Sequence, residues 1–475
     1  MNKVRQSQLW AGLCCPDLPL AAVWSTLPDQ GPVAVHDNHK GQACILQAST
    51  LARRHGIQPG QRLAQALAVL PQLQTRPRRH EAETEALRRI ALSAYQHSHQ
   101  VALAPPDTVL LEVGGSRRLR GGIQPLLEAL RHQLADQGFP THIGMAPVPA
   151  AARLLARLDH RVTNRQALDR YLATLPLSAL ELAGTQIQVL TGCGLRRVGE
   201  LVAIPAAERA RRFGRALNDY LDDIRGQRET PLVGWQPPER FALRLELPVA
   251  TADTGALLFV IRRALAQLGQ WLTIRDQALT RLRLRLERED GGPATRFDIA
   301  LARPGFDLDR LLELAALKLE PLVLPAPVSA LALHADSTLE HRPPQADLFS
   351  SQNHGDAWPA LLDRLSARLG PDGLSSLAPQ ADHRPEKAWR WVAPGTTTPG
   401  THSHPRPAWL LDHPRPCRRQ EVSLEDGPER IESGWWDGQD CRRDYWIARD
   451  RDGRRLWIFR EYKPREGWFI HGLFG

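Results

Sequence analysis

Two carboxylates bracket the apolar run Asp107-Thr-Val-Leu-Leu-Glu112, which closes on Gly114-Gly115. Such a β-branched, apolar segment ending in a Gly-Gly turn reads as a strand, and acids on a strand are the raw material of metal-dependent phosphoryl transfer. Two-metal chemistry needs carboxylates gathered around ions roughly 3.5–4 Å apart, and magnesium prefers oxygen ligands. Asp107 and Glu112 cannot form such a centre together. Residues i and i+5 on a strand face opposite sides and stand about 17 Å apart.

The elements that must position these residues come in a definite order. To about residue 170, strands ("QLWAGL" 8–13, "GPVAVHD" 31–37, "QACILQAS" 42–49, "TVLLEV", "THIGMAP") mix with helices at 62–73, 81–98, 123–138 and 149–158. That mixture suggests helices packed on a sheet. Residues 175–228 read as all-helical, with turn signals in "LTGCGLRRVGEL" and "RRFGRALNDYL". From 241 to 337 the order is β-α-β-β-α-β, compatible with a split βαβ module. Beyond 341 the chain turns polar and proline-bearing, with a short helix at 359–370 and linker composition at 393–407. Residues 408–475 are dense in aromatics and read as a small β module.

Composition bounds the function classes. At 475 residues, 42% hydrophobic and 24% charged, the chain is that of a soluble multidomain protein. No signal peptide and no run of roughly 18 apolar residues is expected, so neither export nor a membrane partner is. Cys14, Cys15, Cys44, Cys193, Cys417 and Cys441 show no C-x-x-C spacing, which argues against a zinc site or a disulfide framework and for a reduced cytoplasm. The excess of 61 Lys+Arg over 52 Asp+Glu favours a polyanionic partner such as nucleic acid, although Arg enrichment alone also follows from a GC-rich genome.

The string "ASTLARRHGIQPGQRLAQALAVLPQL" (48–73) resembles the Y-family (translesion) DNA polymerases, with Ala48, Ser49, Ala52, Arg53, Gly56, Ile57, Gly60, Ala66, Pro71 and Leu73 in register. Read locally, it is two amphipathic helices around a Pro-Gly turn. The resemblance covers about residues 5–337 and implies an α+β right hand. Its parts are a palm and fingers-like region (1–170), a helix-hairpin-helix thumb (171–235) and a β-α-β-β-α-β little finger (236–338). A tract carrying a clamp-binding motif and linker (339–407) and a Trp-rich β extension for partner binding (408–475) follow.

The same resemblance exposes departures in the catalytic site. The family's first-strand Asp falls at Cys14 to Pro16, with only Asp17 nearby. Its later Asp-Glu pair aligns with Asp107 and Thr108, so the catalytic Glu is missing. Its triphosphate-contacting Tyr aligns with Thr50, while the partner Arg53 is kept. These departures imply a polymerase fold that does not polymerise and holds no metal or other cofactor. Weak metal binding by Asp17, Asp107 and one further acid is the alternative.

The DNA-binding parts are expected to persist. In the thumb, Gly192 and Gly194 would let the backbone approach a phosphate, amides of the following helix would donate to it, and Arg196 and Arg197 would add charge. Alone, this segment is equally an ordinary helical turn. In "LTRLRLRL" (279–286), Leu282, Leu284 and Leu286 share one face and Arg281, Arg283 and Arg285 the other. A solvated face is the ordinary reading of such alternation. Three arginines without an interleaved acid would nevertheless repel one another unless an anion lies opposite, and DNA phosphates are the natural one.

"QADLF" (345–349) is similar to the pentapeptide that binds the bacterial sliding clamp, with Gln345 making polar contacts and Leu348 and Phe349 filling an apolar pocket. The tail segments "GPERIESGWWDG", "RDYWIARDRDGRRLWIFRE" and "WFIHGLFG", with "DHRPEKAW" (382–389), resemble ImuB-type proteins, inactive Y-family homologues of bacterial mutasomes. A packed Trp-rich β module is compatible with that reading, and "HSH" (402–404) reads as linker. The implied partners are primer-template DNA, the sliding clamp, a RecA-like ImuA-type protein and an error-prone DnaE-type polymerase, at replication sites in the cytoplasm. The competing expectations are a divergent but active translesion polymerase and a general Arg-rich nucleic-acid-binding protein without clamp contact.

Overall fold

Residues 8–24, 31–39, 41–115, 121–228, 230–341, 357–370, 373–394, 396, 405–463 and 466–475 are described by the computed structural model. They belong to two compact units, Met1–Leu348 and Phe349–Gly475.

The first unit opens with β1 (Trp10–Cys14), α1 (Leu18–Trp24), β2 (Val33–His39), β3 (Gln42–Ala48), α2 (Thr50–Arg54), α3 (Leu63–Val69), β4 (Gln74–Pro77) and α4 (His80–Tyr95). It continues through β5 (Val101–Ala104), β6 (Thr108–Glu112), α5 (Ile123–Asp136), β7 (His142–Ala146) and α6 (Pro149–Arg157). Strands β5-β6-β1-β7 form an antiparallel sheet, and β3-β2-β4 a smaller mixed one, with β2 and β4 parallel. Strand β4 and helix α1 are absent from the sequence reading, because a four-residue strand and a seven-residue helix carry too few periods to register. The helix expected over 62–73 stops at Val69, where Leu70 leaves helical geometry one residue before Pro71.

Apolar residues of the larger sheet are buried on both faces. Leu13, Val109 and Leu111 pack under α4 and α5, while Trp10 and Leu110 pack under α6. Gly12 and Gly144 bring α6 down onto the sheet. A Cβ on Gly144 would lie 2.0 Å from the Ala156 nitrogen, and one on Gly12 2.5 Å from the Ala152 oxygen. No side chain fits there, so α6 runs directly over β1 and β7 and its last turn reaches the end of the sheet that carries Asp107.

Five helices follow: α7 (Arg165–Thr174), α8 (Gly184–Gly192), α9 (Val198–Ala203), α10 (Ala206–Phe213) and α11 (Arg215–Arg225). Asn164 caps α7 by accepting from the Ala167 amide at 2.8 Å. Leu168, Leu190, Leu201, Leu217 and Leu221 close one core with α6, so palm and thumb share apolar packing.

The little finger comprises β8 (Phe241–Thr251), α12 (Thr254–Arg275), β9 (Gln277–Arg288), β10 (Thr295–Gly305), α13 (Leu308–Leu319) and β11 (Val328–Glu340). The sheet order is β10-β9-β11-β8, with every neighbouring pair antiparallel. Strand β11 therefore separates β8 from β9, and β9 separates β10 from β11, which gives two interlocked split βαβ units. Asp253 and Asp307 cap the two helices through the Ala256 and Arg310 amides. Buried Leu279, Leu282, Leu284 and Leu286 on β9 face the helices.

The second unit holds α14 (Ala357–Leu369), a hairpin of β12 (Ser376–Pro379) and β13 (Trp389–Val392), and a five-stranded sheet. The strands of that sheet are β14 (Trp409–Pro416), β15 (Val422–Ser433), β16 (Cys441–Asp450), β17 (Arg455–Lys463) and β18 (Gly467–Leu473), ordered β14-β18-β17-β16-β15. Tyr445, Trp457 and Phe459 form its aromatic core, where the Tyr445 hydroxyl is 2.9 Å from His471 Nδ1. Burial pushes the His471 imidazole down from 6.5 to about 4. The unfolded chain therefore binds this proton more readily than the native one, so the stability contribution is complete above pH 6.5 and is lost as pH falls towards 4. The expected loss is on the order of 3 kcal/mol. Thermal unfolding followed by tryptophan fluorescence between those pH values should show the slope, and His471→Asn should flatten it.

Candidate palm centre and nucleic-acid interface

Asp107 sits in the turn that enters β6, and Cys14 pairs with Thr108 at the adjoining end of β1. The Cys15 amide donates to the Asp107 carbonyl at 2.9 Å, joining the two strand ends. Arg157, in the last turn of α6, places Nη2 2.9 and 2.8 Å from the two oxygens of the Asp107 carboxylate. Thr108 donates its hydroxyl to the same carboxylate at 2.9 Å. The chain of charge continues: Arg157 Nε is 3.1 Å from Glu181, Glu181 is 2.9 Å from Arg153, and Arg153 donates to the Pro105 carbonyl at 2.9 Å. Glu181 lies in the thumb segment, and its amide donates to the Tyr220 hydroxyl of α11 at 3.2 Å.

These residues fit a magnesium pair poorly. Burial, then the Asp107 charge, pushes the Cys14 thiol up to about 11, and burial also raises Cys15 above its usual range. Both are protonated at neutral pH and offer no anionic oxygen. Thr108 is fully buried and spends its proton on Asp107. Asp17 is paired with Arg53 at 2.9 Å on the exposed side of the turn. Among the described residues no three His, Cys, Asp or Glu side chains gather into a metal-holding group.

Glu112 has a structural task at the other end of β6, opposite Trp10. Its carboxylate accepts from the amides of Leu9, Gly114 and Gly115 and so closes the Gly-Gly turn. Thr50, at the start of α2, is exposed, and Ser49 caps that helix through the Ala52 amide.

Groups expected to contact phosphate have partners within the chain at both places. In the thumb, the amides of Cys193, Gly194 and Leu195 bond to carbonyls of α8, and those of Arg196 and Arg197 donate to Glu200 at 2.7 and 3.2 Å. These donations draw the Glu200 carboxyl below its ordinary range. The hairpin presents the exposed Arg196 and Arg197 side chains outward, with Gly194 supplying the left-handed turn at φ +85°. On β9 the arginines are exposed as expected, but acids interleave with them, Asp298 and Asp336 from the neighbouring strands β10 and β11 and Glu287 from β9 itself. Arg283 is 3.6 Å from Asp298 and 3.3 Å from Asp336, and Arg285 is 3.6 Å from Glu287. Mutual repulsion is thus relieved within the sheet; the partners of Arg283 are cross-strand neighbours, invisible to a single-strand pattern, whereas Glu287 follows Arg285 on the same strand. Arg281 makes no ion pair among the described residues.

Gln345, Leu348 and Phe349 lie outside the described residues, as does the segment 402–404. No helix among the described residues is long and apolar enough to cross a membrane. The residues that sequence reasoning missed are Arg153, Arg157 and Glu181. Two arginines one turn apart on α6 were a detectable signal for one charged face, but their acidic partners are not local.

Strand order, hairpin thumb and interlocked βαβ module together define a Y-family polymerase-like hand. Residues 23–157 match the impB/mucB/samB family. Protein ImuB of Caulobacter vibrioides (strain NA1000 / CB15N) is 30% identical over 458 residues, covering 88% of this chain and 100% of that one. DNA polymerase IV of Yersinia pseudotuberculosis serotype O:1b (strain IP 31758) is 25% identical over 190 residues, 39% of this chain and 54% of its own. DinB from Sulfolobus solfataricus aligns in structure over 70% of this chain and 100% of its own, at 16% identity and a TM-score of 0.40. The chain belongs to the ImuB family.

Proposed function

We propose that this chain is a non-catalytic, DNA-binding adaptor of the mutasome in damage-induced translesion synthesis. It holds primer-template DNA and links the sliding clamp, a RecA-like ImuA-type protein and an error-prone DnaE-type polymerase. The observation that carries this reading is the state of Asp107, whose two carboxylate oxygens both lie on the Arg157 guanidinium. A carboxylate neutralised by its own chain is poorly disposed to hold a catalytic cation. The α9 hairpin and the β9 face meanwhile keep exposed arginines for a duplex backbone.

Reconstitution tests the reading. On a primed, damaged template with the clamp loaded, the DnaE-type polymerase should pass the lesion only when this chain is present. Asp107→Asn should leave that bypass intact, and its loss would mean that the carboxylate acts chemically.

The arginine face adds a graded expectation. Arg283 must give up Asp298 and Asp336 to reach a phosphate, whereas Arg281 has no such competitor among the described residues. Arg281→Ala should therefore weaken duplex binding more than Arg283→Ala. Each lost phosphate contact should flatten the salt dependence by about 0.9 in log–log slope. Fluorescence anisotropy across a salt series checks both; equal losses would mean that the intramolecular pairs do not compete with DNA.

A further inference from the structure

The seam between palm and little finger encloses a cavity of about 160 Å³. Its walls come from α1, the β4–α4 segment and β8, and Arg76, Arg79, Arg89 and Arg244 contribute to them. Arg79 and Arg244 share Glu246, and Arg244 also reaches Glu287 at 2.7 Å. Glu85, also in the wall, lies 3.2 Å from Arg88. Glu81 is exposed in the first turn of α4.

Arg89 stands apart from this pairing. It is only 8% exposed, its Nε has no hydrogen-bond partner, and no carboxylate lies within ion-pair distance among the described residues. Its guanidinium rests over the Phe139 ring, 4.7 Å from the centroid. A cation–π contact of this kind offsets part of the lost hydration but supplies no acceptor for the N–H groups. Burial lowers its pKa to about 10, still well above neutral, so it remains charged. Arg263 of α12 adds a second desolvated guanidinium near it, resting on Phe259 rather than on an acid. A buried, unpaired cation is costly, and an anion that arrives with several acceptor oxygens relieves that cost.

We propose that this cavity is a binding site for a terminal phosphate group, with Arg89 as its principal ligand and Arg76 and Arg244 at its rim. A guanidinium presents donors in a planar fork that matches phosphate oxygens. The volume suits a phosphoryl group with free oxygens, whereas a diester flanked by two sugars would have to thread α1 and β8. Free phosphate and the terminal phosphate of a nucleotide share this chemistry. Either one would bridge α4 of the palm to β8 of the little finger and hold the two together. The site is separate from Asp107 and does not depend on the adaptor reading.

Titration calorimetry of the full chain with inorganic phosphate and, separately, with ATP tests the site, using chloride at matched ionic strength as the background. At least one ligand should bind, and Arg89→Met should weaken it about tenfold or more. Binding of phosphate alone would identify the free anion as the source; tighter binding of ATP would identify a nucleotide. Arg89→Met removes an unpaired buried charge, so it should fold and melt no lower than the parent without ligand, keeping the comparison readable. Absence of binding by both ligands, or binding that Arg89→Met leaves unchanged, would overturn the proposal.

Discussion

Purified full-length protein, given primer-template DNA, four deoxynucleoside triphosphates and Mg²⁺ or Mn²⁺, should bind the DNA but add no nucleotides above background. The expectation rests on three positions. Cys14 is a buried thiol with its pKa near 11, Thr108 is a buried hydroxyl donating to Asp107, and Asp107 is held by Arg157. A metal ion contributes several kcal/mol of charge stabilisation in phosphoryl transfer, and each 1.36 kcal/mol is about tenfold in rate. On the adaptor reading both ion sites are lost, which should lower nucleotide addition by several orders of magnitude. Thr108→Glu alone should not restore it, since Arg157 would still hold Asp107 and no acid stands at Cys14 to Pro16. Robust extension that Asp107→Ala abolishes would sink the adaptor reading and establish a divergent but active polymerase.

The second large effect concerns the pentapeptide 345–349. Replacing Gln345, Leu348 and Phe349 together with Ala should weaken capture of the sliding clamp by about a hundredfold or more, because a few buried anchors carry most of a peptide's binding energy. Binding to primer-template DNA should stay unchanged in the same variant, since the exposed arginines of the α9 hairpin and of β9 lie elsewhere in the sequence. A pull-down with immobilised clamp, run beside an anisotropy titration with DNA, separates the two outcomes. Undiminished capture would remove the clamp from the set of partners and favour a general nucleic-acid-binding protein.

These two predictions draw on different levels of the molecule. The pentapeptide is a proposed linear motif, and such a motif is read from sequence because recognition of a short extended peptide depends on residue identity and spacing alone. The palm centre is legible only in part. The expectation of absent acids at Cys14 to Pro16 and at Thr108 rests on residue type, read through the proposed register with a Y-family palm. That Arg157 holds Asp107 is not readable, since the two are 50 residues apart and meet only because Gly12 and Gly144 let α6 lie against the sheet.

By itself, the sequence determined the order of elements in the hand, the period-two alternation that became β9, and the residue types at Cys14 to Pro16 and at Thr108. Each is local, set by side-chain period or by residue type at one place. Tertiary structure alone decided which charges meet. It placed Asp298 and Asp336 beside Arg283, turned Glu200 onto the amides of the thumb hairpin, tied Asp107 to Arg157, and left the buried Nε of Arg89 without a hydrogen-bond partner in the palm–little finger seam. Charge pairing depends on distances of a few ångströms between segments far apart in the chain, and no periodicity along a single segment encodes that.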